Sequence, residues 1–105
     1  MSWQREVDEI NKRRQWADEM GGTERTDQLR DRGYLNVRER VAGLVDPGSF
    51  REVGKLAGKG TYRDGAVDHV KPAPYVMGLA KFDGRPVALG GEDRTVRGGT
   101  FEDGM

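Results

Sequence analysis

Two arginines and a pair of glycines near the carboxyl end form the segment best suited to holding an anion. Arg94 and Arg97 carry charged donors that match phosphate oxygens, and Gly98-Gly99 directly follows them. Glycine lets a backbone approach a ligand closely, and a helix beginning there would present free N–H groups to an anion. The alternatives are solvated surface arginines and a simple turn at the end of a strand. These four residues are the candidate anion-binding residues.

The rest of the sequence offers no arrangement typical of a catalytic or metal centre. The carboxylate pairs Glu92-Asp93 and Glu102-Asp103 lie in polar segments, whereas an acid–base pair requires burial. The one histidine, His69, has no convergent partner, and plain surface is the more typical role for such a residue. The absence of cysteine excludes disulfides, thiolate zinc sites and a cysteine nucleophile. We therefore assign no catalytic residue and no metal site.

Length and charge indicate one small domain at most, with no strongly charged partner. The 105 residues carry 18 basic and 18 acidic side chains, so neither nucleic acid nor an anionic membrane is an expected partner. No apolar run approaches a transmembrane span, no signal peptide is recognisable, and the lack of cysteine fits a cytoplasmic protein. Large apolar residues are sparse, which predicts an incomplete folding unit that depends on a partner or on further sequence. A self-sufficient small domain is the alternative.

An amphipathic helix is predicted over residues 3–20, with Ser2 as its N-cap and Gly21-Gly22 as its end. Its apolar residues recur at helical spacing, and its other face is heavily charged. Exposed on a lone helix, the two tryptophans would mark a partner-binding face, and otherwise they are core anchors. The predicted partner interface consists of Trp3, Val7, Ile10 and Trp16.

Two further helices are predicted before the first strand. Residues 24–32 form a weak polar helix that begins after Thr23 and ends at Gly33. Asn36 and Glu39 have the spacing of a capping box, with an apolar face of Val37, Val41, Leu44 and Val45 behind them. Asp46-Pro47-Gly48 stops this helix, because proline cannot continue it.

Strands are predicted over the rest of the chain, with one long interruption. Residues 49–53 are expected to form a strand that buries Phe50 and Val53, and residues 54–74 are expected to form a glycine-rich loop. Residues 75–82 and 86–91 are expected to form a hairpin around the type I′ turn signal Asp83-Gly84. Apolar residues on both faces of the hairpin predict that it is covered on both sides. The fold class is therefore α+β, with helices followed by a β-hairpin.

The order of motifs resembles the beginning of the carboxyltransferase (beta) subunits of biotin-dependent acyl-CoA carboxylases, of the propionyl-CoA and acetyl-CoA carboxylase type. Those subunits carry a Gly-Gly after a charged helix, a basic arm ending in Gly, a Thr-Ala-Arg-Glu-Arg-Ile helix, an Asp-Pro-Gly-Ser-Phe stop, an Asp-Gly-Arg-Pro-Val turn and a Thr-Val-x-Gly-Gly-[Ser/Thr] segment. The corresponding pieces here are Gly21-Gly22, Asp31-Arg32-Gly33, Asn36 to Val41, Asp46 to Phe50, Asp83 to Val87 and Thr95 to Thr100. Each motif is weak alone, and their common order carries the resemblance.

The resemblance implies the opening part of a crotonase-like (ClpP/crotonase) domain, with residues 1–33 as a helical arm and residues 34–105 as an incomplete carboxyltransferase domain. It implies transfer of a carboxyl group from carboxybiotin to an acyl-CoA, with biotin on a partner carrier protein and backbone N–H groups stabilising the oxyanions. The implied partners are a larger carboxyltransferase chain, a biotin carboxylase and a biotin carrier, in a hetero-oligomer that is active only when assembled. A non-catalytic structural subunit derived from a carboxylase is the alternative.

The resemblance also assigns the anion at Arg94, Arg97, Gly98 and Gly99 as coenzyme A. The chain departs from the family pattern at some positions. Tyr34 stands where the family usually has lysine, and Arg94 stands where the family commonly has an aromatic or other apolar residue. The tail Glu102-Asp103-Gly104 does not continue clearly into the family's next helix.

Overall fold

A computed structural model of the chain describes residues 2–100. The predicted α+β class is confirmed, since helices come first and antiparallel strands follow. The helices are α1 (Gln4–Asp18), α2 (Thr23–Asp31) and α3 (Val37–Leu44). The strands are β1 (Arg51–Val53), β2 (Gly58–Arg63), β3 (Ala66–Pro72), β4 (Tyr75–Phe82) and β5 (Arg85–Glu92), and a short 3₁₀ turn covers Arg97–Gly99.

The strands form two separate antiparallel sheets. One sheet has the order β1-β4-β5, and the other pairs β2 with β3. Asp83 and Gly84, between β4 and β5, both have positive φ angles of 48° and 76°, as a type I′ turn requires. The predicted hairpin is therefore present, and β5 extends one residue beyond its predicted range at each end.

The prediction of a loop over residues 54–74 is wrong, because this segment contains the β2–β3 hairpin. Asp64 and Gly65 form its turn with φ angles of 53° and 79°, which repeats the geometry at Asp83-Gly84. The pairing shifts register between Thr61 and Tyr62, so alternation along β2 is interrupted. Scattered glycines and this irregularity obscured the strand pattern, although the Asp-Gly signal was present in the sequence.

Helix α3 supplies two of the three residues in the buried apolar cluster. The side chain of Asn36 accepts a hydrogen bond from the Glu39 N–H at 2.9 Å, and the Glu39 carboxylate accepts one from the Asn36 N–H at 3.1 Å, so the predicted capping box is present. Val37 and Val41 pack with Val76 of β4 as the buried cluster. The partly buried residues around this cluster are Met20, Phe50 and Leu89.

Val53 was predicted to be buried and is exposed, and Leu44, on the predicted apolar face of α3, is exposed as well. Leu44 is the last residue of α3 and lines a groove between α3 and β5, and Val53 lies at the end of a three-residue edge strand. Val53 pairs with Met77, which is also exposed, so both lie on the face of the sheet opposite α3. The prediction of burial at Val53 is therefore wrong, and Leu44 does not share the burial of Val37 and Val41.

Asp46 joins the end of α3 to the turn of the β4–β5 hairpin. Its carboxylate accepts hydrogen bonds from the backbone N–H groups of Asp83 at 2.9 Å and Gly84 at 2.8 Å. Its own N–H donates to the Lys81 carbonyl at 2.8 Å, and the Ser49 hydroxyl accepts from the Lys81 N–H at 3.1 Å. The Asp-Pro-Gly-Ser segment thus ends the helix and also fixes the hairpin against it.

This contact can be tested because Asp46 binds one Asp-Gly turn, whereas the other Asp-Gly turn contains an aspartate, Asp64, that can be substituted as the control. We expect Asp46→Asn to lower the free energy of unfolding by about 1–2 kcal/mol, because an amide replaces one of two charged acceptors with a donor that faces an N–H group. We expect Asp64→Asn, at the β2–β3 turn, to change it by less than about 0.5 kcal/mol, since asparagine suits positive φ. Urea unfolding measures both variants, and equal losses would contradict the assigned role of Asp46.

The three-stranded sheet β1-β4-β5 is the main sheet, and α3 packs on one of its faces. The opposite face is not covered by any element in residues 2–100. Along β4 the residues alternate, so that Val76, Gly78 and Ala80 face inward and the residues between them face outward. Met77 is 45% exposed and Leu79 is 57% exposed, and this apolar row continues onto neighbouring strands. We call this set the open sheet face, and it comprises Val53, Tyr75, Met77 and Leu79.

Helix α1 packs against β3, and its buried residues lie at its carboxyl-terminal end. Trp16 and Ala17 are buried there, whereas Trp3, Val7 and Ile10 are exposed, Trp3 by 71%. Helix α1 begins at Gln4, with Trp3 and not the predicted Ser2 at the N-cap position, and the Ser2 hydroxyl accepts a hydrogen bond from the Gln4 N–H at 3.1 Å. In the described residues, no helix is both long and apolar enough to cross a membrane.

Candidate anion-binding site

The backbone of Tyr34 is fixed by the end of helix α2. The Tyr34 N–H donates to the Leu29 carbonyl at 3.2 Å, and the Gly33 N–H donates to the Arg30 carbonyl at 2.8 Å. These two bonds form a Schellman motif, whose left-handed position Gly33 fills with a φ of 85°. The sequence signal for this motif was the glycine that follows a predicted helix. Because the motif fixes the backbone here, it also fixes the position from which the Tyr34 side chain extends.

The backbone of Arg94 is fixed by a buried polar turn after β5. The Asp93 carboxylate accepts hydrogen bonds from the Thr95 N–H at 2.9 Å and from the Thr95 hydroxyl at 2.5 Å. The Asp93 N–H donates to the Pro74 carbonyl at 2.8 Å, and Val96 is fully buried behind the turn. Asp93 is buried, although its segment was predicted to be polar and unburied, and its carboxylate serves as a structural acceptor for Thr95.

The same turn holds the junction between α1 and α2. The Gly21 N–H donates to the Thr95 hydroxyl at 2.9 Å, across 74 positions of sequence. A Cβ atom at residue 21 would lie 1.7 Å from the Thr95 carbonyl oxygen, so only glycine fits here. The Gly-Gly pair that the sequence predicted as a helix end thus brings the first two helices against the segment that carries Arg94.

Arg94 lies between two shallow hollows and rests on an aromatic ring. Its guanidinium carbon is 5.4 Å from the centroid of the Tyr34 ring, within cation–π distance. One hollow, of about 310 Å³, is lined by Arg94, Thr95, the α2 residues Glu24, Arg25, Gln28 and Leu29, and Arg32, which directly follows α2. The other, of about 350 Å³, is lined by Arg40, Tyr75, Gly90, Gly91, Glu92 and Arg94. Cations outnumber carboxylates in both hollows, which favours an anion.

The other three predicted binding residues follow Arg94 in a tight turn. Arg97, Gly98 and Gly99 have φ angles of 48°, 65° and 89°, all in the left-handed region. A Cβ atom on Gly98 would meet nothing within 4 Å, so its φ and not a close approach explains the glycine. Arg97 lines neither of the two hollows that Arg94 touches. A helix expected to begin after Gly99 lies outside the described residues, and CoA binding at these positions stays a prediction.

Sequence reasoning missed the contribution of α2 to the site. Arg25 and Arg32 stand seven residues apart, which is two helical turns, so they lie on one face of α2 beside Arg94. The signal was present in this spacing, but nothing in the sequence indicated that α2 packs near Arg94. That proximity depends on the contact between Gly21 and Thr95, which joins residues far apart in sequence.

The predicted partner-interface residues divide into two groups. Trp3, Val7 and Ile10 are exposed along α1, and they form the exposed α1 stripe. Trp16 is buried between the Lys12 ammonium, 5.5 Å from its ring centroid, and the His69 ring, whose centroid lies 5.1 Å from that of a Trp16 ring. His69 is otherwise exposed, and no group of three or more metal-ligating side chains occurs in residues 2–100.

Comparison with known proteins gives a consistent result over most of the chain. A family model described as the carboxyl transferase domain matches residues 28–104. The mitochondrial methylcrotonoyl-CoA carboxylase beta chain of Dictyostelium discoideum is 38% identical over 84 residues, covering 78% of this chain and 14% of that protein. The propionyl-CoA carboxylase carboxyltransferase subunit of Haloferax mediterranei is 31% identical over 102 residues, covering 96% of this chain and 20% of that protein.

A solved structure matches nearly the whole chain. The crystal structure of transcarboxylase 12S, with hydrolysed methylmalonyl-coenzyme A bound, has a TM-score of 0.79 and 34% sequence identity. The match covers 95% of this chain and 20% of that chain, and the 12S protein is described as a hexamer in a multienzyme core. This chain therefore spans about a fifth or less of the length of these proteins.

Proposed function

We propose, since the chain belongs to the carboxyl transferase domain family, that it forms the amino-terminal part of an enzyme that moves a carboxyl group from carboxybiotin to an acyl-CoA. The predicted resemblance and the opening part of a crotonase-like domain are both confirmed. The observation that carries the proposal is the match of 95% of the chain, at 34% identity, to a structure of transcarboxylase 12S. Such an assembly would work in the cytoplasm, with biotin on a partner carrier and a biotin carboxylase to charge it.

The open sheet face supports assembly with the remainder of a carboxyltransferase polypeptide. Val53, Met77 and Leu79 leave apolar area in water that burial would remove at a gain of about 25 cal/mol per Å². Strand β5 pairs only with β4 among the described strands, so its outer edge has unpaired backbone groups. An apolar groove of about 510 Å³ runs between α3 and this strand, with Leu35, Leu44 and Leu89 among its walls.

The relatives indicate what would occupy these surfaces. They are about five to six times as long as this chain, and their matches cover 78–96% of it. We infer that polypeptide corresponding to their remaining length covers the open sheet face and pairs with the edge of β5. That polypeptide, in the same chain or a separate one, would also supply the oxyanion-stabilising N–H groups.

The role of this chain in the reaction is to bind the CoA portion of the substrate. Carboxybiotin supplies the carboxyl group in the proposed reaction, and we place no described side chain in contact with it. The arginines around Arg94 would hold phosphate oxygens of CoA by charge-assisted hydrogen bonds, and binding energy far from the reacting carbon would orient the acyl group. No side chain of residues 2–100 is assigned a proton transfer.

Removing the charge of Arg94 tests the binding role. We expect Arg94→Gln to weaken CoA binding at least about tenfold, because a hydrogen bond to a charged group contributes about 1.5–3 kcal/mol and about 1.4 kcal/mol is a factor of ten. Arg85→Gln, an exposed arginine beside the β4–β5 turn, is the matched control and should leave binding unchanged. Isothermal titration calorimetry measures both dissociation constants, and equal binding by wild type and Arg94→Gln would contradict this site.

A structural subunit derived from a carboxylase is the second candidate function. The exposed α1 stripe favours it, since Trp3, Val7 and Ile10 offer an apolar surface that CoA binding does not explain. Carboxylation assays on the assembled complex separate the two functions. If removing this chain leaves turnover intact but dissolves the assembly, the structural function is correct, and loss of turnover at intact assembly supports the catalytic one.

A further inference from the structure

We infer that Tyr34 is a positioning residue, which holds the Arg94 guanidinium where it can serve both hollows at once. The inference rests on the proposed function, because it treats the ligand at Arg94 as CoA. Tyr34 is not a charged donor like the arginines of the site, and the inference gives its aromatic ring a role in positioning Arg94.

The two residues meet because both backbones are fixed independently. The Schellman motif at the end of α2 fixes Tyr34, through the bond from its N–H to the Leu29 carbonyl. The Asp93 carboxylate fixes the turn on either side of Arg94, through its bonds with Thr95. The packing of Gly21 on Thr95 then brings these two anchored segments together. The contact between ring and guanidinium is thus a consequence of the fold.

An arginine side chain on an exposed turn would otherwise sample many rotamers. Arg94 is exposed, and the described contacts of its guanidinium include no carboxylate within ion-pair distance. Contact with the Tyr34 face at 5.4 Å restricts the guanidinium and leaves its N–H groups at the edge free to donate to an anion. Arg94 lines both the hollow beside α2 and the hollow beside β5. Its restricted guanidinium can therefore bind a ligand that extends from one hollow to the other.

Two substitutions at residue 34 separate the ring from the hydroxyl. We expect Tyr34→Phe to bind CoA as wild type does, since the ring remains. We expect Tyr34→Leu to weaken binding roughly two- to fivefold, the range of a cation–π contact at an exposed site. In the Arg94→Gln background, Tyr34→Leu should have no further effect, because the two residues act through one contact. Calorimetry on the full 105-residue chain with free coenzyme A measures all four variants.

A nuclear magnetic resonance readout distinguishes this inference from the proposed function. The Arg94 Nε–H resonance should lie upfield from the ring current of Tyr34, stay there in Tyr34→Phe and move downfield in Tyr34→Leu. An unchanged resonance in Tyr34→Leu, or equal loss of CoA affinity with and without Arg94, would overturn the positioning role. Failure of the wild-type chain to bind CoA, with the ring-current shift present, would instead contradict the proposed ligand and leave the contact established.

Discussion

Replacing Gly21 with alanine is expected to lower the free energy of unfolding by about 2 kcal/mol or more. The added Cβ would overlap the Thr95 carbonyl oxygen, at 1.7 Å, so the backbone of one segment must move. Movement there breaks the 2.9 Å bond from the Gly21 N–H to the Thr95 hydroxyl and separates α2 from Arg94. Urea unfolding measures the loss, and calorimetry should show weaker CoA binding in the same variant.

Gly43 provides the control for this substitution. It lies within α3, is exposed, and has nothing within 4 Å of the place where a Cβ would stand. Gly43→Ala should therefore stabilise the chain by about 0.5–1 kcal/mol, through helix propensity alone. If Gly21→Ala and Gly43→Ala changed stability in the same direction, the assigned contact between residues 21 and 95 would be incorrect.

Replacing Arg38 with methionine should cost about 2 kcal/mol of folding free energy, below the 3–5 kcal/mol of a fully buried pair. The Arg38 guanidinium donates to both Glu52 oxygens at 2.7 and 3.0 Å, and the two side chains are 23% and 12% exposed. Methionine keeps the straight aliphatic stem but leaves the Glu52 carboxylate without its partner in a mostly buried place. Thermal and urea unfolding both measure this loss.

The cost of losing Arg38 should depend on the charge of Glu52. In the double variant Arg38→Met/Glu52→Leu at least half of the lost stability should return, since no unpaired carboxylate remains. Arg40→Met, an exposed position on the same helix, should be close to neutral. A double variant as unstable as the sum of its single variants would indicate that Arg38 stabilises the fold through packing alone. Asp18, 3.9 Å from Arg38 and paired with Lys55 at 2.8 Å, extends this network to the end of α1.

The local elements of the fold were predictable from the sequence because local chemistry determines them. Capping residues fixed the start of α3 at Asn36, and the dipeptide Asp83-Gly84 fixed the hairpin turn. The same reasoning failed for residues 54–74, where an identical Asp-Gly signal was outweighed by glycines and by the register shift after Thr61. Short-range signals are reliable when one dominates a segment and fail when several compete.

The candidate site was only partly predictable, because it depends on contacts between distant residues. Arg94 could be identified from its charge, but its contact with Tyr34 and its nearness to Arg25 depend on how α2 packs near the Thr95 turn. No periodicity or spacing encodes such a contact. The division of the chain into an arm of residues 1–33 and a domain of residues 34–105 likewise stays a prediction.

Amide hydrogen exchange on the main sheet tests most directly the claim that this chain is one part of a larger carboxyltransferase that acts on an acyl-CoA. The chain would be measured alone and after mixing with the polypeptide that corresponds to the remainder of the carboxyltransferase. We predict that backbone amides of β5 (Arg85–Glu92) and β1 (Arg51–Val53) exchange more than about tenfold more slowly in the mixture, because strand pairing and burial protect them. A chain that stays monomeric, with the same exchange rates in β1 and β5 with and without that polypeptide, would contradict the claim.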